Sequence, residues 1–272
     1  MTLTQAATGE RIASLLFLWI GVVGCVHAES ALRLPLPNQF GSVAAVVYDT
    51  HGRPDGHARL TMEQVPDGAR LRVVVHLDDG AHSRLQALMR AADGGLRIVS
   101  ERSASFDAHG KPVVQARLDH DRGVGICQVG DGPARRVTLP SPDRIVNVPL
   151  NLLLRPLVNG ARTSVRFQTF VCGDDIRILD TEAKVAKRIA GPDGGPGYVE
   201  LHYHFNFGPL LSLVAGPFVP KIAFWFDPTK PAHWVGHEMP LYSDGPEVMV
   251  LRKGVLPADL TGRAYQARND AP

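Results

Sequence analysis

Four histidines crowd the last third of the chain, His202, His204, His233 and His237, and their spacing comes nearest to metal chemistry. In an extended strand His202 and His204 lie two residues apart and project from one face, where two imidazoles can reach a single ion. Glu238 follows His237, so a metal-dependent hydrolase would draw on His202, His204, His237 and Glu238. A catalytic zinc helix reads H-E-x-x-H, however, and Pro231 and Pro240 leave little room for a helix that would align His233 with His237. His202 and His204 therefore read as lining the wet face of a strand, and no metal is assigned.

Other chemistries find no foothold. No G-x-S-x-G elbow presents a serine, and Gly123-Val124-Gly125 enters a strand instead of opening a phosphate-binding helix. No catalytic residue and no cofactor are assigned, and the chain is expected to be non-enzymatic. Charged residues make up 21% of the sequence at a net charge of +2, with arginines scattered singly through strand-like segments. That scatter argues against a nucleic-acid groove, which needs a concentrated basic face.

The apolar chemistry is more pronounced. Val199, Leu201, Tyr203, Phe205 and Phe207 share one face of a strand, opposite Glu200, His202, His204 and Asn206. Gly208 to Phe226 follows with Lys221 as its only charge, and Gly208-Pro209, Gly216-Pro217 and Pro220 forbid one continuous helix, so it is not a transmembrane span. Three readings compete for this stretch: ordinary core, a lid over an internal cavity, or an apolar edge that dips into a membrane surface. In the cavity reading Leu201, Tyr203, Phe205, Phe207, Phe224 and Trp225 line or cover the ligand site. Strand register sends Phe224 and Trp225 to opposite faces, so only one is expected inside.

The elements that would position these groups are strands. Period-two alternation broken by turn residues predicts Ser42–Tyr48, His57–Val65, Ala69–Leu77, Leu96–Phe106, Val113–Asp119, Val124–Val129, Arg135–Leu139, Thr163–Cys172, Ile176–Ile189 and Glu247–Lys253. Leu85, Leu88, Met89 and Ala92 recur at helical spacing behind Ser83, which predicts a short amphipathic helix, with a connecting loop as the alternative. Val148 to Val158 carries prolines at 149 and 156 that limit it to one or two helical turns, placed to plug or cap one end of the sheet. The latter half of Ile176–Ile189 is open between strand and helix. Gly191 to Gly197 is a flexible loop, and the tail from Pro257 to Pro272 is expected to be disordered. Roughly ten to twelve strands and one or two short helices make a mainly β fold: a large curved antiparallel sheet or partly closed barrel.

The N-terminus reads as an export signal over residues 1–28, with Arg11 before the apolar run Ile12–Val23 and Val26-His27-Ala28 as the cleavage site. Val22-Val23-Gly24-Cys25 offers a lipobox-like alternative that would acylate Cys25. Residues 29–41 form a lead segment, and 42–256 a single β domain. Removing or acylating Cys25 leaves Cys127 and Cys172 as an even pair, either a disulfide permitted by export or two buried thiols.

The segments VPLNLLLRPLVNGARTSVRFQTFVCG and IAFWFDPTKPAHWVGHEMPLYSDGPEVMVLRKG, behind a meander of strands, resemble a proteobacterial family of periplasmic β-proteins known chiefly as domains of unknown function. The resemblance spans Ser42 to Gly254. It implies a curved antiparallel sheet similar in outline to carriers that move lipid or lipoprotein across the periplasm, and it brings no catalytic residues. The resulting expectation is a periplasmic or outer-membrane-associated protein that binds a lipid or acyl chain in the concavity of its sheet. An envelope structural or assembly protein, using the apolar segment as an interface with a membrane surface or a partner protein, is the alternative, and a metal-dependent hydrolase the third.

Overall fold

Alternating apolar and polar residues, broken by Gly- and Asp-rich turns, build one sheet that holds fourteen antiparallel strands among the described residues. The computed structural model describes residues 31–190, 197–205, 222–229 and 231–261. Cys25 and the export signal, the GPDGGP loop, Phe207 and most of the Pro- and Gly-broken run lie outside the described residues. The first half of the sheet comprises β1 (Gly41–Tyr48), β2 (Pro54–Val65), β3 (Gly68–Leu77), β4 (His82–Ala92), β5 (Gly95–Phe106), β6 (Pro112–Asp119), β7 (Val124–Val129) and β8 (Arg135–Thr138). The second half comprises β9 (Ser164–Cys172), β10 (Ile176–Ile189), β11 (Tyr198–Phe205), β12 (Ile222–Asp227), β13 (His233–Pro240) and β14 (Glu247–Arg252).

β1 sits at the middle of the sheet, paired with β2 on one side and β14 on the other. The two halves are therefore meanders that run outward to β8 and to β9, the two edges. β3 shows the logic plainly: Ala69, Leu71, Val73, Val75 and Leu77 are buried on the inner face, while Arg70, Arg72 and His76 face out.

Two expectations need correcting. The segment that carries Leu85, Leu88, Met89 and Ala92 is strand β4, laddered on both sides, not a helix. Small or polar Ser83 and Ala87 occupy inner positions and Leu88 an outer one, which disguises the period of two; the inward Ser83 hydroxyl is satisfied by Ser105 at 3.0 Å. The chain also keeps order past Pro257, where a helical turn, Pro257–Thr261, buries Leu260 completely against Tyr48, Trp225 and Met249. The open segment Ile176–Ile189 is strand throughout. The lead is tied down as well, since Leu34 exchanges two backbone hydrogen bonds with Leu96, at 2.9 and 2.8 Å.

What fills the sheet is the proline-bounded segment. It forms two single turns of helix, α1 (Leu150–Leu153) and α2 (Arg155–Val158), limited by Pro149 and Pro156 as expected. Leu150, Leu152, Leu153, Leu154, Leu157 and Val158 are all buried in the cluster formed by the inner faces of both meanders. Each such leucine contributes roughly 1.5–3 kcal/mol on burial, so this plug is a main reason the sheet curls around itself.

The edges β8 and β9 have no ladder between them, so the sheet stays open. A disulfide between Cys127 of β7 and Cys172 of β9 spans that seam. The Arg135 guanidinium of β8 donates to the carbonyls of Gly173 and Asp174 just past β9. Apolar Leu118, Leu139, Ile145 and Phe170 fill the gap. Gly125 on β7 is needed here, because a Cβ at that position would come within 2.7 Å of the Phe170 ring. The exposed edge of β9 is covered by 145–147: Val146 N–H donates to Gln168 O at 2.9 Å, and the Asn147 amide bonds both backbone groups of Phe170, at 2.6 and 3.0 Å.

That covering segment is held from beneath by a buried carboxylate. Glu101 accepts the backbone N–H groups of Asn147 at 3.0 Å and Val148 at 2.8 Å, and His120 Nε2 faces it at 3.5 Å, an ion-pair distance. Burial works against protonation of His120, but Glu101 outweighs it and leaves the imidazole pKa raised.

Candidate functional site

The aromatic stripe lands where strand register puts it. Leu201, Tyr203, Phe205 and Phe224 face inward; the first two and Phe224 are buried in the main cluster and Phe205 packs against it. Tyr203 sits 5.7 Å from Phe167, 5.5 Å from Phe205 and 6.4 Å from Phe224, ring centre to ring centre. Burial raises its phenol pKa. Leu201, Tyr203 and Phe205 pack in the main cluster together with the plug, so that part of the stripe is core rather than the wall of an open cavity.

Trp225 points to the opposite face from Phe224, as strand register requires, so only Phe224 of the two reaches the inner cluster; Trp225 is buried on the outer side, under the Leu260 turn. Its indole N–H donates to Glu200 at 3.1 Å, and Glu200 also meets His202 at 2.5 Å and Lys187 at 3.1 Å. Burial opposes ionisation of Glu200, but His202, Lys187 and Trp225 more than offset it and hold its pKa down to about 2.

The candidate metal ligands do not converge. His202 and His204 share the outer face with ring centres 6.1 Å apart, and Glu238, through Ala223, belongs to that face. His237 pairs with Phe224 on the inner face, with its ring 5.5 Å from Phe224 and 5.6 Å from Trp234. Among the described residues no group of three or more His, Cys, Asp or Glu side chains is placed to hold a metal ion.

His237 instead marks a cleft. Between α1 and the inner faces of β2–β4 and β12–β14 the packing leaves a cavity of about 70 Å³, open at one end. Its walls are Leu60, Leu71, Val73, Val75, Leu85, Val148, Leu150, Phe224, Trp234, Met239, Val248 and Val250, with Pro240 and Leu241 at the β13–β14 end. Four polar side chains interrupt them: Ser83, Asn147, Asn151 and His237. Ser83 and Asn147 are engaged elsewhere, as described above. The Asn151 side-chain carbonyl oxygen is buried without a partner. The apolar surroundings push His237 down to about 4, so its imidazole is neutral at ordinary pH and offers one donor and one acceptor. Among the described residues expected to line a ligand site, Phe224 lines this cleft and Leu201, Tyr203, Phe205 and Trp225 do not.

Comparison with protein-family models finds no match, and comparison with curated proteins finds none either. Among solved structures the chain is similar to a β-barrel-like protein of a domain of unknown function, DUF1849, from Brucella abortus. The two share 14% identity with a TM-score of 0.43, over 81% of this chain and 97% of the other.

Proposed function

We propose that this protein is a non-enzymatic, exported β-sheet protein that takes the hydroxyl-bearing end of a small uncharged amphiphile, such as a fatty alcohol or monoacylglycerol, into the cleft beneath α1. The observation that carries this reading is the pairing of apolar walls with two polar handles, the partnerless Asn151 oxygen and the neutral His237. A hydroxyl headgroup can donate to the Asn151 oxygen and also bond the neutral imidazole of His237, whereas an ester could only accept from His237 and a carboxylate would meet no positive charge there.

Size restricts the ligand. Whole-ligand pockets run to ~300–1,000 Å³, and this cleft is far smaller, so it accepts the headgroup end while the rest of the chain lies over Met239, Pro240 and Leu241. Carriage of a complete acyl chain inside the sheet, the original expectation, would require the plug to leave. The Cys127–Cys172 disulfide supports the export part of the proposal, since such bonds persist in oxidising compartments.

Thermal-shift titration with monoacylglycerols of graded chain length tests the reading. At ligand a hundred-fold above Kd the stabilisation is about 2.7 kcal/mol, or ~5–11 °C for a chain of this size. A Leu150→Trp variant, which fills the cleft, should abolish the shift, and absence of any shift in the unaltered protein would remove the proposal. The filled interior favours a second reading, an envelope assembly protein that works through its outer surfaces. Cross-linking in intact cells to one dominant protein partner would support it.

A further inference from the structure

A concavity larger than the cleft lies on the other side of the sheet. Register aligns one outward row across six strands: Arg72 on β3, Gln86, Arg102, Arg117, Ile126 and Arg136 on β8. The next row adds Arg59 and Arg84, separated by Val74. Arginines drawn from separate strands, each flanked by inward residues, thus converge on one exposed face.

Arg72 is bonded to Glu63 at 3.0 Å. Arg59, Arg84, Arg102, Arg117 and Arg136 meet no carboxylate within ion-pair distance among the described residues, and Arg102 lies directly opposite Arg117. Like charges directly opposite on neighbouring strands destabilise a sheet, so this arrangement is not accounted for by folding. Around it the side chains enclose a shallow trough of about 450 Å³ in which Arg72, Arg84, Arg102 and Arg117 are the only charged residues, accompanied by Gln86, Gln115 and Gln128. Every charged group in the trough is a guanidinium, whose planar fork matches phosphate oxygens.

We propose that the outer face of β3–β8 docks on an anionic phospholipid surface, with these arginines engaging headgroup phosphates. Five inter-strand steps of ~4.8 Å carry the row across about 24 Å, more than one small anion in the trough can cover. The trough itself holds no aromatic side chain; the neighbouring outward row stacks His57, His76, His82 and Phe106, with Arg84 over the Phe106 ring, so competition with an oligonucleotide separates base stacking from headgroup binding. Half-buried Val74 and Ile126 between the arginines suit a headgroup layer that mixes charge with apolar contact. This surface is independent of the cleft beneath α1, and either can fail without the other.

Co-sedimentation of the full chain with vesicles of 30% phosphatidylglycerol in phosphatidylcholine is the test, against vesicles of phosphatidylcholine alone. Binding should be confined to the anionic vesicles and largely lost at 0.5 M salt. Each arginine near such a surface contributes about five-fold in partition, so Arg102→Gln with Arg117→Gln should lower binding about 25-fold. The melting temperature of that double variant should stay level or rise, because a like-charge pair is relieved. A milder Arg136→Gln variant, about five-fold weaker, keeps the test usable if the double variant misfolds. Equal binding to neutral vesicles, or no loss in either variant, would overturn the proposal. So would displacement by millimolar inorganic phosphate, which would indicate a soluble anion, or tighter binding to a DNA oligonucleotide than to the anionic vesicles.

Discussion

Replacing both seam cysteines, Cys127→Ala with Cys172→Ala, removes the one covalent link between the two edges of the sheet. The bridge closes a loop of 45 residues, and chain-entropy accounting puts its constraint on the unfolded state at ~4 kcal/mol. For a chain of this size each kcal/mol moves Tm by about 2–4 °C, so the variant should melt ~8–16 °C lower by circular dichroism. The loss should also be local. With no ladder between β8 and β9, only the Arg135 contacts, the 145–147 cover and the Phe170 packing remain to hold the seam. Amide hydrogen exchange should therefore accelerate in β7, β8 and β9 while β1 and β14, at the middle of the sheet, keep their protection. A Tm lowered by less than about 3 °C, or exchange accelerated evenly over the sheet, would refute the view that the bridge clasps an otherwise open seam.

Two further outcomes follow from the buried groups. Leu154, fully buried between α1 and α2, should cost ~2–5 kcal/mol as Leu154→Ala in urea unfolding, since it deletes packing from the plug itself. Stability should peak near pH ~6.5, the unfolded-state pKa of histidine. His120, raised in the fold, contributes stability that is lost as pH climbs through its folded pKa; His237, lowered to about 4, makes the protein less stable as pH falls from the unfolded value toward 4. Denaturant midpoints across pH should show the alkaline limb flattened in His120→Gln and the acid limb flattened in His237→Gln, and unchanged limbs would contradict these assignments.

Most of the sheet was legible because most strands have one wet face. β3 announces itself through alternating Arg and aliphatic residues, whereas β4 hides behind Ser83, Ala87 and an outward Leu88. β13 was missed because Pro231 and Pro240 bracket it and Gly236 breaks its apolar face. Pro149 and Pro156 mark out α1 and α2 in the sequence, but only packing reveals that they occupy the concavity. A strand that lines a cavity and one that faces a plug have the same composition, so Tyr203 and Phe205 read equally well either way. The cleft was illegible for a related reason: Leu71, Asn151 and the Trp234–His237 pair are far apart in sequence, and cross-strand register together with the packing of α1 assembles them. The same register collects Arg84, Arg102 and Arg117 from three separate strands.

The central claim, occupancy of the cleft beneath α1 by an uncharged amphiphile, is tested most directly by native mass spectrometry of the protein purified without detergent. The unaltered chain should carry an added mass that dissociates as a neutral amphiphile on activation, and Leu150→Trp should fly without it. A bare mass for the unaltered chain, or the same adduct on the cleft-filled variant, would contradict the account.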